Sequence, residues 1–189
     1  MMNELITDQL FEGHNFAEKP LEADFEECIF RNCVFAKTNL SGLSFTNCAF
    51  ENCDLSGAKL LKTAIQECEF LDCKMLGLAF ETCAPILFQI TCTRCTLNFS
   101  SFYQVDLTNS SFSICKFLEA DFTEADLSGI SLAGCDLSGA TFDHTRLERT
   151  DFSSAENYTI NPQLNKITGA IFGKEGLPGL LLAFNIKIV

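Results

Sequence analysis

The sequence predicts an all-β protein that folds as a four-sided β-helix. Three observations predict it: a large apolar residue recurs every five positions, a small residue lies two positions before most of these large residues, and cysteines recur every twenty positions. An α-helical face requires a period of about 3.6 residues and a strand face requires about 2, so neither element collects residues five apart on one side. A coil with five-residue sides does collect them.

The large apolar residues begin at Phe25 and return at every fifth position as far as Phe80. Pro85 and Ile90 continue the count, which then shifts by two residues and resumes at Leu97; most of these residues are Phe or Leu. The pattern predicts a repeat over residues 25–155, with an irregular bulge near residues 84–94 that accommodates the two extra residues.

The position two residues earlier is mostly Ala, Cys, Ser, Thr or Val, and all of the eleven cysteines except Cys92 lie there. One small and one large inward side chain per repeat describe a narrow tube that side chains fill. We interpret the cysteines as reduced, small buried hydrophobes. Cys92-x-x-Cys95 has neither a second pair nor a nearby histidine to complete a zinc site, so we expect no metal and no cofactor.

The coil length follows from Cys28, Cys48 and Cys68, which are spaced by twenty residues. Four five-residue sides therefore make one turn, and identical residues stack in columns because each coil of a solenoid buries its interior against its neighbours. At a strand spacing of about 4.8 Å, the repeat predicts a rod of roughly 31 Å.

The string DLSGA at Asp54 and Asp136 is the clearest copy of an A-[D/N]-[L/F]-x-x pattern. Over about residues 21–155 the chain resembles the pentapeptide repeat proteins, and this resemblance implies that the β-helix is right-handed. Finer segments are similar to the albicidin- and quinolone-resistance branch of that family: CKMLG at Cys73, SSFY at Ser100, FTEADL at Phe122, NY at Asn157 and ITGAIF at Ile167. Members of that branch are dimers that bind DNA gyrase and protect it from drugs.

Composition excludes several classes of function. The 189 residues hold 13 Lys and Arg against 25 Asp and Glu, a formal net charge of −12, which disfavours direct nucleic-acid binding and binding to anionic membranes. Two histidines leave little material for a catalytic base or a multi-histidine metal site, so we expect no enzymatic activity. The longest apolar stretch, residues 177–184, is far shorter than the roughly 18 residues of a membrane span, and no secretion signal is readable, so we expect a cytoplasmic protein.

The two ends depart from the repeat. Residues 1–24 are acidic and are expected to form an N-terminal cap and a partial first coil. Residues 156–189 are expected to form a C-terminal cap and dimerisation tail, with a short helix that begins near Pro178 and a strand over residues 185–189. A solenoid needs such a cap, and the same tail suits an isologous dimer. The candidate dimer interface is Leu177, Leu180, Leu181, Phe184, Ile186 and Ile188.

The candidate partner-binding residues form two sets. The first is acidic and lies mostly on outward positions: Asp106, Glu119, Asp121, Glu124, Asp126 and Asp136. Acids on a convex rod have no pocket to shift their pKa values for catalysis, so they either keep the rod soluble or imitate DNA. The second set, Pro85, Ile86 and Leu87, either folds back into the wall or offers a binding surface.

These observations lead to two hypotheses of function. In the first, which the family resemblance favours, the chain is a DNA-mimicking rod that binds a bacterial type II topoisomerase, DNA gyrase, and protects it from inhibitors. In the second, it is a structural or scaffolding solenoid with an unrelated protein partner.

Overall fold

The computed structural model describes residues 3–19 and 21–187. It is a right-handed quadrilateral β-helix of about eight turns with a short C-terminal helix, which confirms the predicted fold class. At a strand spacing of about 4.8 Å, eight turns make a rod of about 38 Å. Among the described residues, no helix has the length and apolar character to span a bilayer.

All strand pairs are parallel, and most are twenty residues apart in register, as predicted: Phe25 pairs with Phe45, which pairs with Ile65. The strands are β1 (Glu4–Thr7), β2 (Leu10–Glu12), β3 (Ala23–Glu26), β4 (Ile29–Arg31), β5 (Ser44–Thr46), β6 (Ala49–Glu51), β7 (Ala64–Gln66), β8 (Cys68–Leu71), β9 (Ile90–Thr93), β10 (Ser111–Ser113), β11 (Asp151–Phe152) and β12 (Ile171–Phe172). The helix α1 spans Pro178–Leu181, and 3₁₀ turns span Phe80–Thr82, Lys174–Gly176 and Leu182–Phe184.

The rod has four faces, which the chain visits in turn. Face 1 holds β1, β3, β5 and β7, and face 2 holds β2, β4, β6, β8, β9 and β10. The separate pair β11 and β12 continues face 2, because Asp151 bridges to Ser131, one coil after β10. Isolated bridges continue face 1 and build faces 3 and 4. On face 1 they join Asp106–Asp126–Arg146–Lys166, and on face 4 they join Asn39–Lys59 and Ala79–Ser101–Asp121–Thr141. On face 3 they join Asn15–Val34–Asp54–Lys74–Thr96–Lys116–Asp136–Glu156. Face 4 therefore adjoins face 1, and face 3 lies opposite face 1.

The core is a set of ladders of stacked side chains along the rod. Phenylalanine rings in successive coils lie nearly parallel, with centroids 4.8 Å apart for Phe30 and Phe50, 4.6 Å for Phe80 and Phe102, and 5.1 Å for Phe102 and Phe122. These separations are close to the strand spacing, so each coil places its ring directly over the previous one.

The small inward position has a second role that the composition did not reveal. The Cys53 thiol donates a hydrogen bond to the carbonyl of Phe30 at 3.2 Å, and the Thr63 hydroxyl donates to the carbonyl of Leu40 at 2.8 Å. All eleven cysteines are unpaired and buried. The position therefore favours a small side chain that can donate a hydrogen bond as well as fill space, which extends the interpretation of the cysteines as small hydrophobes.

The hydrogen bond donated by the small inward side chain can be tested at Thr150, whose buried hydroxyl donates to the carbonyl of Leu127 at 2.7 Å. Thr150→Val keeps the shape but removes the donor, so we expect it to lower the free energy of unfolding by about 0.5–1.5 kcal/mol. Thr150→Cys, the residue found at this position in other coils, keeps a donor and should lower the free energy of unfolding by less than the valine variant does. Urea unfolding measures both, and a valine variant as stable as the wild type would contradict the assigned hydrogen bond.

The irregular bulge differs in detail from the predicted pattern. Cys68 pairs with Ile90 and Phe70 with Cys92, so the register has already shifted by Ile90 and the extra residues lie within residues 84–89. Pro85 is exposed, Ile90 occupies the small-residue column, and Cys92 takes the large inward place. The assignment of Pro85 and Ile90 as large inward residues is therefore wrong.

The parallel pairing extends further towards both ends than residues 25–155. At the N-terminus, β1 and β2 pair directly with β3 and β4, so the described residues before Ala23 begin the rod. At the C-terminus, Glu156 and Lys166 form bridges and β12 pairs with β11.

The C-terminal tail forms the expected helix, but the described residues after that helix form no strand. Leu180 of α1 packs on the core, and the amide of Ile160 bonds to the carbonyl of Gly179. Asn185 has a left-handed backbone, φ 50°, and residues 185–187 belong to no strand. Residues 188 and 189, including the candidate Ile188, lie outside the described residues.

Candidate protein-binding surface

The structure divides the candidate acidic residues among the faces. Asp106 and Asp126 pair on face 1, Asp121 lies on face 4, and Glu124 lies in the turn between these two faces of the same coil. Four of the six residues therefore lie together at the edge where faces 4 and 1 meet, which we call the acidic corner: Asp106, Asp121, Glu124 and Asp126. Asp136 lies on face 3, opposite face 1, and Glu119 lies in the turn between faces 3 and 4, so both are outside the acidic corner.

Each aspartate of the acidic corner first stabilises its own turn. The Oδ1 atoms of Asp106, Asp121 and Asp126 each accept a hydrogen bond of 2.9 Å from the amide two residues later. These are Asx turns, which fix the backbone in the segments DLT, DFT and DLS, and at Asp106 the Thr108 hydroxyl also donates to Oδ1 at 2.7 Å. One oxygen of each carboxylate is thus used by the fold.

Asp126 differs from its neighbours because its second oxygen is also used. Arg146, one coil further on face 1, places Nη1 3.1 Å from Asp126 Oδ2 and Nε 3.4 Å from Glu148 Oε2. The Asp126 side chain is only 19% exposed. Glu124 is exposed and accepts a 2.7 Å hydrogen bond from the Gln104 amide. The other acids of the acidic corner, Asp106, Asp121 and Glu124, form no ion pair within the described part of the chain.

Asp136 has a structural role on its own face. Hydrogen bonds from Asn157 at 2.8 Å and from the Ser138 hydroxyl at 2.6 Å hold the pKa of the Asp136 carboxyl below its ordinary value. The carboxylate thereby links the coil to the start of the next one.

The bulge over residues 84–89 is mostly an outward feature. Phe88 is buried, but Ile86 and Leu87 are 73% and 72% exposed. Leu87 also has φ 58°, a left-handed conformation that is strained for a leucine. The segment was expected either to fold back into the wall or to offer a surface. Phe88 folds back into the wall, whereas Ile86 and Leu87 lie on the surface.

A groove of about 440 Å³ lies between this bulge and the following coil. Phe80, Phe88 and Val105 give it apolar walls, while Glu81 and Asp106 add carboxylates. We call it the corner groove, because Asp106 belongs to it and to the acidic corner. The two candidate regions, which were separate in the sequence, are therefore continuous, and Glu81 is a member that the sequence did not indicate.

Family models match most of the repeat. The pentapeptide repeat region model matches residues 23–83 and 43–114, and the pentapeptide repeats (8 copies) model matches residues 115–153. The chain belongs to the pentapeptide repeat family.

Solved structures of this family are similar along the whole chain. Two trypsin-treated variants of QnrB1, a plasmid-mediated fluoroquinolone resistance protein, match with TM-scores of 0.72 and 0.57. Each is 18% identical, and each match covers 100% of this chain and 100% or 99% of the other. No curated protein sequence matches. At this identity the likeness establishes a shared fold.

The candidate dimer residues of this pentapeptide repeat protein differ in exposure. Leu180 and Leu181 are half-buried, whereas Leu177, Phe184 and Ile186 are 44%, 46% and 56% exposed. Further exposed apolar residues at the same end, which the helical spacing did not include, are Leu164, Ile171 and Leu182. The tail thus covers the last coil with one side and leaves apolar side chains on the other.

Within residues 3–19 and 21–187, no three His, Cys, Asp or Glu side chains are grouped so as to hold a metal ion.

Proposed function

We propose that this pentapeptide repeat protein is a non-catalytic binding protein that imitates duplex DNA and uses its acidic corner to bind the DNA-binding surface of bacterial DNA gyrase. The observation that carries the proposal is that carboxylates without a basic partner and an exposed apolar bulge lie together at one edge of the rod. A surface that binds DNA presents basic side chains, which such a corner complements. The shared fold with QnrB1 supports the proposal, because that protein counters fluoroquinolones.

The dimensions are compatible with duplex DNA. Two rods end to end measure about 77 Å, the length of about 22 base pairs with about 45 phosphates at 3.4 Å per pair. Two chains carry a formal charge of −24. The rod therefore has the sign of DNA and about half of its charge, so binding depends on where the carboxylates lie.

We propose in addition that the tails join two rods. A dimer related by a two-fold axis buries the same patch on both chains, and the exposed residues Leu177, Leu182, Phe184 and Ile186 form an apolar patch on the outer side of the tail. An interface here extends the rod lengthwise and leaves the acidic corner free.

Substitution in the tail tests this dimer. We expect Leu182→Asp and Phe184→Asp to halve the mass seen by sedimentation equilibrium, because each buries a charge in the interface. Leu61→Asp, at an equally exposed leucine on the rod, is the control and should remain dimeric. Leu180 is unsuitable because it packs on the core. A monomeric wild type would contradict the proposed dimer.

A binding assay and a DNA-cleavage assay with purified gyrase test the proposed function. Purified gyrase should bind the wild-type protein, with an affinity that falls as salt screens exposed charges. In the presence of a fluoroquinolone, the bound protein should reduce drug-induced cleavage of DNA. Absence of gyrase binding at low salt would overturn the proposal.

One observation favours the scaffolding alternative. Phe99 and Ile114 are 56% and 58% exposed and have φ of 61° and 56°, where the adjacent coils have Gly77 and Gly134. A bulky residue in this conformation costs stability, and such strain is concentrated at functional positions. Both lie at the edges of face 3, away from the acidic corner.

A further inference from the structure

We propose that the corner groove is a binding site for an arginine side chain that a partner protein presents on an extended segment. This inference rests on the proposed function only in that the acidic corner binds a protein; it does not depend on which protein. No feature of the repeat itself requires the groove, which exists because the bulge lifts away from the wall beside the next coil.

The walls of the groove suit the stem of a long side chain. Phe80, Phe88 and Val105 offer apolar contacts, and Tyr103 lines the groove while remaining 39% exposed. An arginine places three methylene groups against such walls and keeps its charged head near the solvent. The guanidinium also stacks on an aromatic ring, a role that Tyr103 can fill.

The charges select a cation. Glu81 and Asp106 line the groove, and no Lys or Arg nitrogen lies within 4 Å of either carboxylate in the described part of the chain. The amide and the hydroxyl of Thr108 both donate hydrogen bonds to Asp106 Oδ1, so Oδ2 is the oxygen that can accept from a ligand. Burial raises the pKa of the Cys83 thiol in the groove to about 12, so the thiol stays neutral and the negative charge comes from the carboxylates.

Other occupants fit the groove less well. A purely apolar side chain would desolvate the carboxylates without pairing them. A phosphate would meet two carboxylates on a chain of net charge −12. A lysine ammonium is a compact and strongly hydrated charge, whereas the planar guanidinium presents several donors and can bridge two carboxylates.

Fluorescence polarisation with the full-length protein tests the inference. The probe is a fluorescein-labelled peptide, Ala-Leu-Arg-Leu-Ala, compared with peptides that carry lysine, glutamate or citrulline in place of arginine. We expect saturable binding of the arginine peptide, and binding about tenfold or more weaker for citrulline, which has the same shape without the charge. The lysine peptide should lie between them, and the glutamate peptide should not bind.

Paired variants locate the site. Glu81→Gln with Asp106→Asn should abolish the preference for arginine, and the asparagine retains the acceptor that Thr108 needs. Glu69→Gln with Glu156→Gln removes the same charge from exposed positions on faces 2 and 3 and should leave binding unchanged. Unchanged circular dichroism shows that both variants fold.

The outcomes separate this inference from the proposed function. Equal binding of arginine and citrulline peptides, or equal loss in both paired variants, would overturn the arginine site. Arginine binding by a protein that ignores gyrase would sustain the site and overturn the proposed function. If the wild-type protein shows no preference for the arginine peptide, and Glu81→Gln with Asp106→Asn still binds gyrase, the arginine site is overturned and the proposed function is sustained.

Discussion

Replacing Phe102 by alanine is expected to lower the free energy of unfolding by about 3–5 kcal/mol. Phe102 is fully buried, stacks between Phe80 and Phe122, and meets Phe112 and Phe117 edge to face at centroid distances of 6.2 and 6.1 Å. Removal of the ring leaves a cavity in a ladder whose backbone is held by hydrogen bonds to the coils on both sides. The walls therefore have little freedom to collapse.

Phe99 offers a matched comparison three residues earlier. Phe99→Gly removes the same side chain from an exposed left-handed position, where relief of strain offsets the greater flexibility of glycine in the unfolded chain. We expect a change within about 1 kcal/mol. Chemical denaturation of both variants measures the contrast, and similar losses at the two positions would contradict the assigned inside and outside of the coil.

The second large effect is expected at the acidic corner. Asp106→Asn, Asp121→Asn and Glu124→Gln together should weaken gyrase binding by about tenfold or more at low salt, since each removes a partner for a basic side chain. Each asparagine keeps the Oδ1 acceptor of its turn, so the fold should be retained. Asp126 is omitted because Arg146 already neutralises it.

A second triple variant controls for total charge. Glu12→Gln, Glu69→Gln and Glu156→Gln change the net charge equally, at exposed positions on faces 2 and 3. Titration calorimetry against gyrase should show affinity close to that of the wild type. An equal loss in both triple variants would mean that overall charge, rather than the acidic corner, governs binding.

Much of the fold was predictable because the repeat constrains it at every position. A period of five with a column period of twenty admits one arrangement of sides per coil, and Phe25, Phe45 and Ile65 follow it. The position of the extra residues was not predictable from apolarity, because Ile90 fits the large position as well as the small one. The pairing of Phe70 with Cys92 decides between them, and it depends on backbone hydrogen bonds that the sequence does not display.

The candidate site was predictable only in part. Counting faces places Asp121 and Asp126 on adjoining sides of the rod. The same count places Asp136 two sides from Asp126. The twenty-residue coil places Arg146 next to Asp126 in the neighbouring coil, but whether the arginine contacts that carboxylate depends on side-chain conformations that the sequence does not display. The sequence also did not reveal the corner groove, since Glu81 and Asp106 line it beside a bulge whose path no periodic pattern describes.

Competition with DNA tests the central claim most directly. Labelled protein is titrated with gyrase in the presence of increasing amounts of a DNA duplex of about 22 base pairs, the length of the proposed dimer. If the rod occupies the DNA-binding surface, the apparent Kd should rise in proportion to the duplex concentration, and no complex that contains both should form. An apparent Kd that stays constant under saturating duplex would contradict the account.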